Sequence, residues 1–340
     1  VKILFHELNA GKRMQKSLDR RPKATLYNCL VVKCLVVVGS IVFCSVSHRV
    51  EAQSVNQQQS SVAATLADEQ AKATSPEVSK PEEQQEGWLN ATQLKERVTK
   101  AFAPPKEAKS LHPSNRVWIN REEQIVIVDG VIAQREAQLE MFACPSGTKE
   151  HESIISVFSK SQLVHAALLA IGAKPGSPAA FEPFRPASGT TVRVYVLWLD
   201  AKGEKQGTIA QKWVRKTGTK DCLKWDWVFA GSKEYVDEIT KERQYMADSG
   251  ELICVANFGT STMDLVVKSE QANASLVFDA FTERIPRRNT PVRLVLSLSD
   301  EPPFGAEADH EKETPSFLKA DVPKDILKWL EPMPSDKSTR

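Results

Sequence analysis

The segment Thr191-Val-Arg-Val-Tyr-Val-Leu-Trp-Leu199 sets Val192, Val194, Val196 and Trp198 in alternation with Arg193, Tyr195 and Leu197. A period of two puts the first set on one face of a β-strand, so the chain reads as strand here. Lys202-Gly203 follows as a turn and predicts a hairpin into a second strand over Lys205–Val214. The same texture continues on both sides. Upstream, Arg116–Asn120 and Gln124–Asp129 flank Arg121-Glu122-Glu123 as a hairpin, and Asp129-Gly130 is expected to turn the chain again. Ala137–Ala143 and Glu150–Phe158 follow, separated by Cys144-Pro145-Ser146-Gly147. Downstream come Trp225–Ala230, Leu252–Asn257, Ser275–Thr282 and Val292–Leu298.

One strong helix interrupts this series, from Lys160 to Ile171. Ser159 and Gln162 stand at capping-box spacing before it, and Gly172 ends it. Leu163, Val164, Ala166, Ala167, Leu168, Leu169 and Ile171 make it apolar nearly all round, which predicts a buried helix. A buried helix against a mostly antiparallel sheet gives the expected fold class, α+β.

The folded domain is expected over residues 112–300, with distinct flanks. Residues 29–47 are apolar apart from Lys33 and are preceded by Lys12, Arg13, Lys16, Arg20, Arg21 and Lys23. With Val50-Glu51-Ala52 at the exit, residues 1–52 read as a secretory signal peptide, or as a single-pass anchor if left uncleaved. Residues 53–111 read as a flexible linker rich in Gln, Ser, Ala and Glu. A short helix near 90–102 is marked there by Asn90, Gln93, Leu94, Val98 and Phe102. Residues 301–340 form a Pro- and charge-rich tail with one amphipathic helix, Asp321 to Leu330, whose apolar side carries Ile326, Trp329 and Leu330.

Composition narrows the function. The 340 residues carry 45 basic and 43 acidic side chains, a net charge of +2, which argues against nucleic acid as the main partner. Of six cysteines, Cys29, Cys34 and Cys44 lie in the expected signal, leaving Cys144, Cys222 and Cys254. Three scattered cysteines make neither a disulfide scaffold nor a metal array.

The candidate site is built from Cys144, His151, Glu152 and His165. A thiolate needs a nearby base, and either histidine would supply one. Glu150–Phe158 as a strand puts His151 and Ser153 on one face and Glu152 on the other, feeding into the helix that carries His165. His151-Glu152 begins like a zinc-hydrolase motif, but Ile155 stands where the second ligand is needed. The plainer reading is that both histidines hydrogen-bond at a strand–helix junction. Gly172-Ala-Lys-Pro-Gly176 is a turn, not a phosphate loop, and no motif calls for a metal or a cofactor. Trp213, Trp225, Trp227, Phe229 and Tyr235 read as core packing before they read as a groove floor. Arg284, Arg287 and Arg288 read as a solvated basic turn.

Cys144-Pro-Ser-Gly-Thr-Lys-Glu-His-Glu-Ser153, His165-Ala-Ala-Leu-Leu169 with Gly172–Gly176, Trp227-Val-Phe-Ala-Gly-Ser232 and Leu252-Ile-Cys-Val-Ala-Asn-Phe258 occur in that order. This series resembles the YdjY-like domain family, in the form found in secreted planctomycete proteins. The family brings no established activity. Relatives that join the domain to ferredoxin-type iron–sulfur motifs imply electron transfer for those proteins, but a cluster needs closely spaced thiolates that this chain lacks. The expectation is therefore an exported, non-catalytic binding or scaffold domain with an unidentified protein or small ligand as partner. It would touch a membrane only if the N-terminal segment stays uncleaved. The alternative is a redox accessory or a metal- or cysteine-dependent enzyme using Cys144, His151, Glu152 and His165.

Overall fold

Thr191–Leu199 is a strand over its full expected length, and it runs between the long strands of a sheet that closes on itself. The computed structural model describes residues 89–269, 277–305 and 313–334, all within one unit of the chain, Ser79–Arg340. The expected signal peptide over 1–52 and the linker as far as residue 88 lie outside the described residues.

Ten strands of the main sheet are numbered here: β1 Val117–Asn120, β2 Ile125–Ile132, β3 Met141–Pro145, β4 Ser153–Val157, β5 Thr191–Leu199, β6 Lys205–Ile209, β7 Trp227–Phe229, β8 Ile253–Cys254, β9 Met263–Leu265 and β10 Pro291–Ser299. Eight of them pair in the ring β2-β10-β5-β7-β9-β8-β3-β4, and β4 returns to β2 through Gly130–Val157 and Ile132–Ile155. The fold is thus mostly β, an eight-stranded closed barrel in place of the expected α+β class, and its pairing is mostly antiparallel as expected. Six of the ring's pairings are antiparallel, while β3–β4 and β8–β9 are parallel. β1 pairs with the other half of β2, and β6 with the other half of β5, so the longest strands splay beyond the ring.

That arrangement explains why all eight residues of β2 are buried. Val126, Val128 and Ile132 join Val192, Val194, Val196, Val292, Leu294 and Leu296 in the barrel interior. Ile125, Ile127 and Val131 face outward with Leu197 and Val295, under a second apolar layer. That layer comes from the flanks: Val98 and Phe102 at the end of helix α1 (Ala91–Ala101), with Ile326, Trp329 and Leu330 beside two short helices, α3 (Ser316–Lys319) and α4 (Lys324–Leu327). α1 begins with the expected capping box, Asn90 and Gln93 each accepting from the other's backbone N–H. The tail helix is shorter than Asp321–Leu330, but its apolar side packs as its pattern requires.

The clamp beneath this layer is a buried ion triad. Asp129 and Arg293 are fully buried, and Arg116 is nearly so. Arg293 Nε donates to Asp129 Oδ1 at 2.7 Å, and Arg116 Nε to Oδ2 at 2.7 Å. The same guanidiniums donate to the carbonyls of Phe102 (3.0 Å), Ala103 (2.9 Å) and Trp329 (2.6 Å). Asp129-Gly130 is therefore not a turn. It sits inside β2, because the aspartate is held by two arginines and the glycine admits β4. A Cβ on Gly130 would overlap the Ser156 carbonyl oxygen and lie 3.1 Å from Val157 Cα.

The main helix, α2 (Ser161–Ala170), departs from expectation in two ways. It buries one face only: Ser161, Val164, Ala167, Leu168 and the flanking Ile171 are buried, while Leu169 is 46% exposed. It also lacks the capping box. Lys160 is the N-cap, without a side-chain bond, and the N–H of Gln162 donates instead to Asp248 Oδ1 at 2.9 Å. A carboxylate from a distant 3-10 turn, Met246–Ser249, thus serves an orphan donor of the first turn.

Candidate functional site

The four sequence candidates lie near one another along the chain but do not form one site. Cys144 is fully buried in β3. Burial pushes its thiol up to about 11, against the opposing hydrogen bonds from Ser153 and Thr148. Cys254, fully buried in β8, is raised for the same reason. His151 and Glu152 belong to a 3-10 turn, Glu150–Glu152, and the strand begins only at Ser153. The expected strand alternation therefore does not apply to them. The His151 side chain is 75% exposed, and its Nε2 lies 3.8 Å from Glu152 Oε2.

Glu152 turns instead toward Lys149. The ammonium of Lys149 sits 3.2 Å from Glu140 Oε2, 3.2 Å from Glu251 Oε1 and 3.5 Å from Glu152 Oε1, above the Phe258 ring. Burial works to lower its pKa, and Glu251 and Glu140 more than reverse that. Glu140 is raised by burial first and then by its hydrogen-bonded neighbour Glu152. Three carboxylates around one partly buried cation make a structural tie among the starts of β3 and β4 and the turn before β8.

His165 is held elsewhere. Its Nδ1 lies 2.9 Å from the Tyr245 hydroxyl, and its ring meets Phe229 and Tyr245 edge-on at 4.9 and 5.3 Å. Burial lowers its pKa, consistent with a neutral ring among aromatics. Tyr245 also reaches the Gly231 carbonyl at 3.2 Å and Thr262 Oγ1 at 3.1 Å. His165 thus secures the hairpin Glu234–Val236/Arg243–Tyr245 against the barrel, and no partner of its ring is shared with His151. The hydrogen-bonded reading of these histidines describes His165 well.

A different constellation forms beside the two-stranded ribbon Val214–Lys216/Phe278–Ala280. The chain leaves β6 through a 3-10 turn, Ala210–Trp213, enters the ribbon, and loops over Thr217–Asp221 to return at Cys222 opposite Arg215. Gly218, at φ +74°, permits that loop. Between this loop, the 3-10 turn Thr282–Arg284 and the segment at Glu313–Leu318 lies a cleft of about 770 Å³. Lys212, Lys216, Lys220, Lys224 and Arg284 line it against two carboxylates, Asp221 and Glu313. Trp225 and Phe278, edge to face at 6.0 Å, form its apolar wall. Lys212 Nζ donates to the Ala320 carbonyl at 3.2 Å, and Lys224 lies over the Trp225 ring. Lys216 and Lys220 are exposed and make no ion pair among the described residues. Arg284 stacks on Phe281 at 4.0 Å and donates to the Lys212 carbonyl at 3.3 Å and to Cys222 Sγ at 2.8 Å.

Chemically, this is a concavity in which the described cations outnumber the carboxylates, with a flat apolar surface beside them. Of the aromatic residues weighed in the sequence, Trp213, Trp227 and Phe229 are core, Tyr235 is exposed on the hairpin, and Trp225 alone lines the cleft. Arg284, read as part of a solvated turn, belongs to the cleft as well. The lysines and Cys222 were missed as a site, although the segment Lys212–Lys224 carries Lys212, Arg215, Lys216, Lys220 and Lys224 against the single acid Asp221. Such a local excess of basic residues in a nearly neutral chain was the available signal.

Among the described residues no helix is long and apolar enough to cross a membrane, and no group of His, Cys, Asp and Glu stands ready to hold a metal ion. No curated protein and no solved structure gives a significant match to the chain. Residues 117–297 match the family model of the YdjY domain, a span that runs from the start of β1 into β10 and takes in the barrel, α2 and most of the cleft. That is more than half of the 340 residues, in the order of motifs that the sequence carries, and the chain therefore belongs to the YdjY domain family.

Proposed function

We propose that this protein is an exported, non-catalytic binding domain whose cleft beside the Val214–Lys216/Phe278–Ala280 ribbon holds a small anionic ligand with a planar apolar part. The observation that carries the reading is the set of five cations facing two carboxylates around the Trp225–Phe278 wall. Uncompensated charge in a concave, partly apolar surface concentrates counter-ions there. The histidines support the non-catalytic half of the reading: His165 is engaged with Tyr245, and His151 projects to solvent beside Glu152. Export rests on the basic-then-apolar N-terminal segment ending at Ala52.

The test uses pyrenetetrasulfonate, a flat fluorescent polyanion. Its titration into the protein should saturate, weaken steeply with added salt, and weaken at least roughly tenfold in Lys216→Glu/Lys220→Glu. Absence of saturable binding, or binding indifferent to that double charge reversal, would overturn the reading.

A further inference from the structure

The cleft contains a thiol in a setting unlike that of its two counterparts. Cys144 and Cys254 have no exposed surface, whereas Cys222 is half-buried and lines the cleft. The Arg215–Cys222 bridge and the bond from Leu223 N–H to the Val214 carbonyl (2.9 Å) fix its backbone at the base of the loop. Its sulfur accepts from Arg284 Nη1 at 2.8 Å, and that guanidinium also stacks on Phe281 and donates to the Lys212 carbonyl. Lys216, Lys220 and Lys224 line the same cleft, and Trp225 supplies a flat apolar wall. A nucleophilic sulfur, a guanidinium bonded to it and further cations therefore share one concavity large enough for a small molecule.

We propose that Cys222 is a thiol–disulfide exchange site selective for small disulfides that carry carboxylate groups. This rests on reading the cleft as an anion site. In the exchange, Cys222 loses its proton to solvent and its sulfur attacks one sulfur of the incoming disulfide. The bond between the two sulfurs of that disulfide breaks as the new bond to Cys222 forms. The displaced half leaves as a thiolate and takes a proton from solvent. Cys222 is oxidised to the disulfide level, and one half of the reagent is reduced to a thiol, so no further oxidant is needed. The lysines hold the carboxylates of the incoming molecule, Arg284 positions the sulfur, and Trp225 accepts an aromatic half. Selectivity comes from electrostatic attraction, so it follows the charge of the reagent and fades as salt screens the cleft.

The experiment uses the full chain and three disulfides: the aromatic dicarboxylate dithiobis(nitrobenzoate), neutral dithiodipyridine and cationic cystamine. Mass spectrometry of the peptide bearing Cys222 separates it from every other cysteine, and each rate is divided by that of a small free thiol. At low ionic strength the anionic reagent should be favoured over the neutral one by roughly tenfold or more, and over the cationic one by a wider margin. The anionic-to-neutral ratio should collapse toward one near ~1 M salt, where the screening length is about 3 Å. It should also fall at least roughly tenfold in Lys216→Glu/Lys220→Glu.

Equal relative rates for the three reagents, a ratio insensitive to the charge reversal, or a Cys222 that reacts only after unfolding would each overturn the proposal. Pyrenetetrasulfonate binding to the unmodified chain distinguishes the two readings. If the dye binds while Cys222 shows no charge preference, the exchange site fails and the anion cleft stands. If the preference is present without dye binding, the exchange site stands and the reversible-ligand reading fails.

Discussion

Replacing Asp129 by asparagine keeps the shape of the side chain and removes its charge, and the triad around it sets the cost. In the folded chain the carboxylate faces two guanidiniums, with Arg293 fully buried and the Arg116 side chain about 10% exposed. Four donor contacts converge on its two oxygens: Arg116 Nε and Nη2 on Oδ2, Arg293 Nε on Oδ1 and Arg293 Nη2 on Oδ2. An amide offers one oxygen and turns an NH₂ toward these donors, leaving both cations without a counter-charge in a dry interior. Breaking a buried pair from one side costs about 3–5 kcal/mol, roughly two to three and a half powers of ten in the folded-to-unfolded ratio. Urea unfolding of wild type and Asp129→Asn should show this as a lowered midpoint with an unchanged slope. The loss should also have a location. The same arginines hold the carbonyls of Phe102, Ala103 and Trp329, so amide exchange should accelerate in α1 and near Trp329 before it does in the barrel. A cost below about 1 kcal/mol, or exchange that accelerates uniformly, would refute the claim that this triad clamps the flanking segments to the sheet.

Gly130→Ala should destabilise by about 1–3 kcal/mol, toward the upper end because the obstructing Ser156 oxygen belongs to the backbone; thermal unfolding measures it, and an unchanged Tm would deny the close approach of β4. His165 has a folded pKa below its ordinary value, so the unfolded chain takes up the proton first as pH falls. Its contribution is then complete above about 6.5 and declines as pH falls through that value toward the lower folded one. Urea midpoints between about pH 8 and 5 should show this loss in wild type relative to His165→Phe; parallel profiles would exclude it. Cys144, raised to about 11, should resist iodoacetamide at neutral pH while Cys222 is alkylated, and should react only on unfolding; peptide mass spectrometry showing comparable rates would revive Cys144 as a nucleophile.

Thr191–Leu199 was legible to the residue because its period of two and its β-branched residues both suit a strand. Both of its faces are nonetheless covered, Val192, Val194 and Val196 by the barrel interior and Leu197 by the outer layer. Asp129-Gly130 misled for a physical reason. The dipeptide favours a turn locally, yet its aspartate is demanded by Arg116 and Arg293, and its glycine by the backbone of β4. Ser159 and Gln162 fitted a capping box, but Asp248 took the donor that the box would have satisfied. β9 was not found because Met263-Asp264-Leu265 is short and carries a charge at its centre. That charge is buried and accepts from Asn257, Ser261 and the N–H groups of Leu265 and Phe258; burial raises it to about 7 despite those bonds. Closure of the barrel depends on β4 meeting β2 and β8 meeting β3, pairings between distant segments that no local period records. The cleft escaped notice for a related reason: Lys212–Lys224 is contiguous, but Phe278, Arg284 and Glu313 reach it only through the fold.

The architecture itself argues for where a ligand would go. An eight-stranded barrel has an interior that side chains just fill, and here Val126, Val194, Phe142, Trp227 and Leu294 fill it. The outer face of β2, β10 and β5 is covered by α1 and by Ile326, Trp329 and Leu330. Lys149 meets three carboxylates, and the two arginines of the triad converge on Asp129 and on backbone carbonyls. These buried cations thus each have a carboxylate partner, while Lys216 and Lys220, on the lining of a concave surface, have none among the described residues. In a chain whose net charge is only +2, that imbalance is local and not a property of the whole surface. Binding that depends on it should respond to the charge of the ligand and to salt, and much less to substitutions in the barrel that leave the ribbon in place.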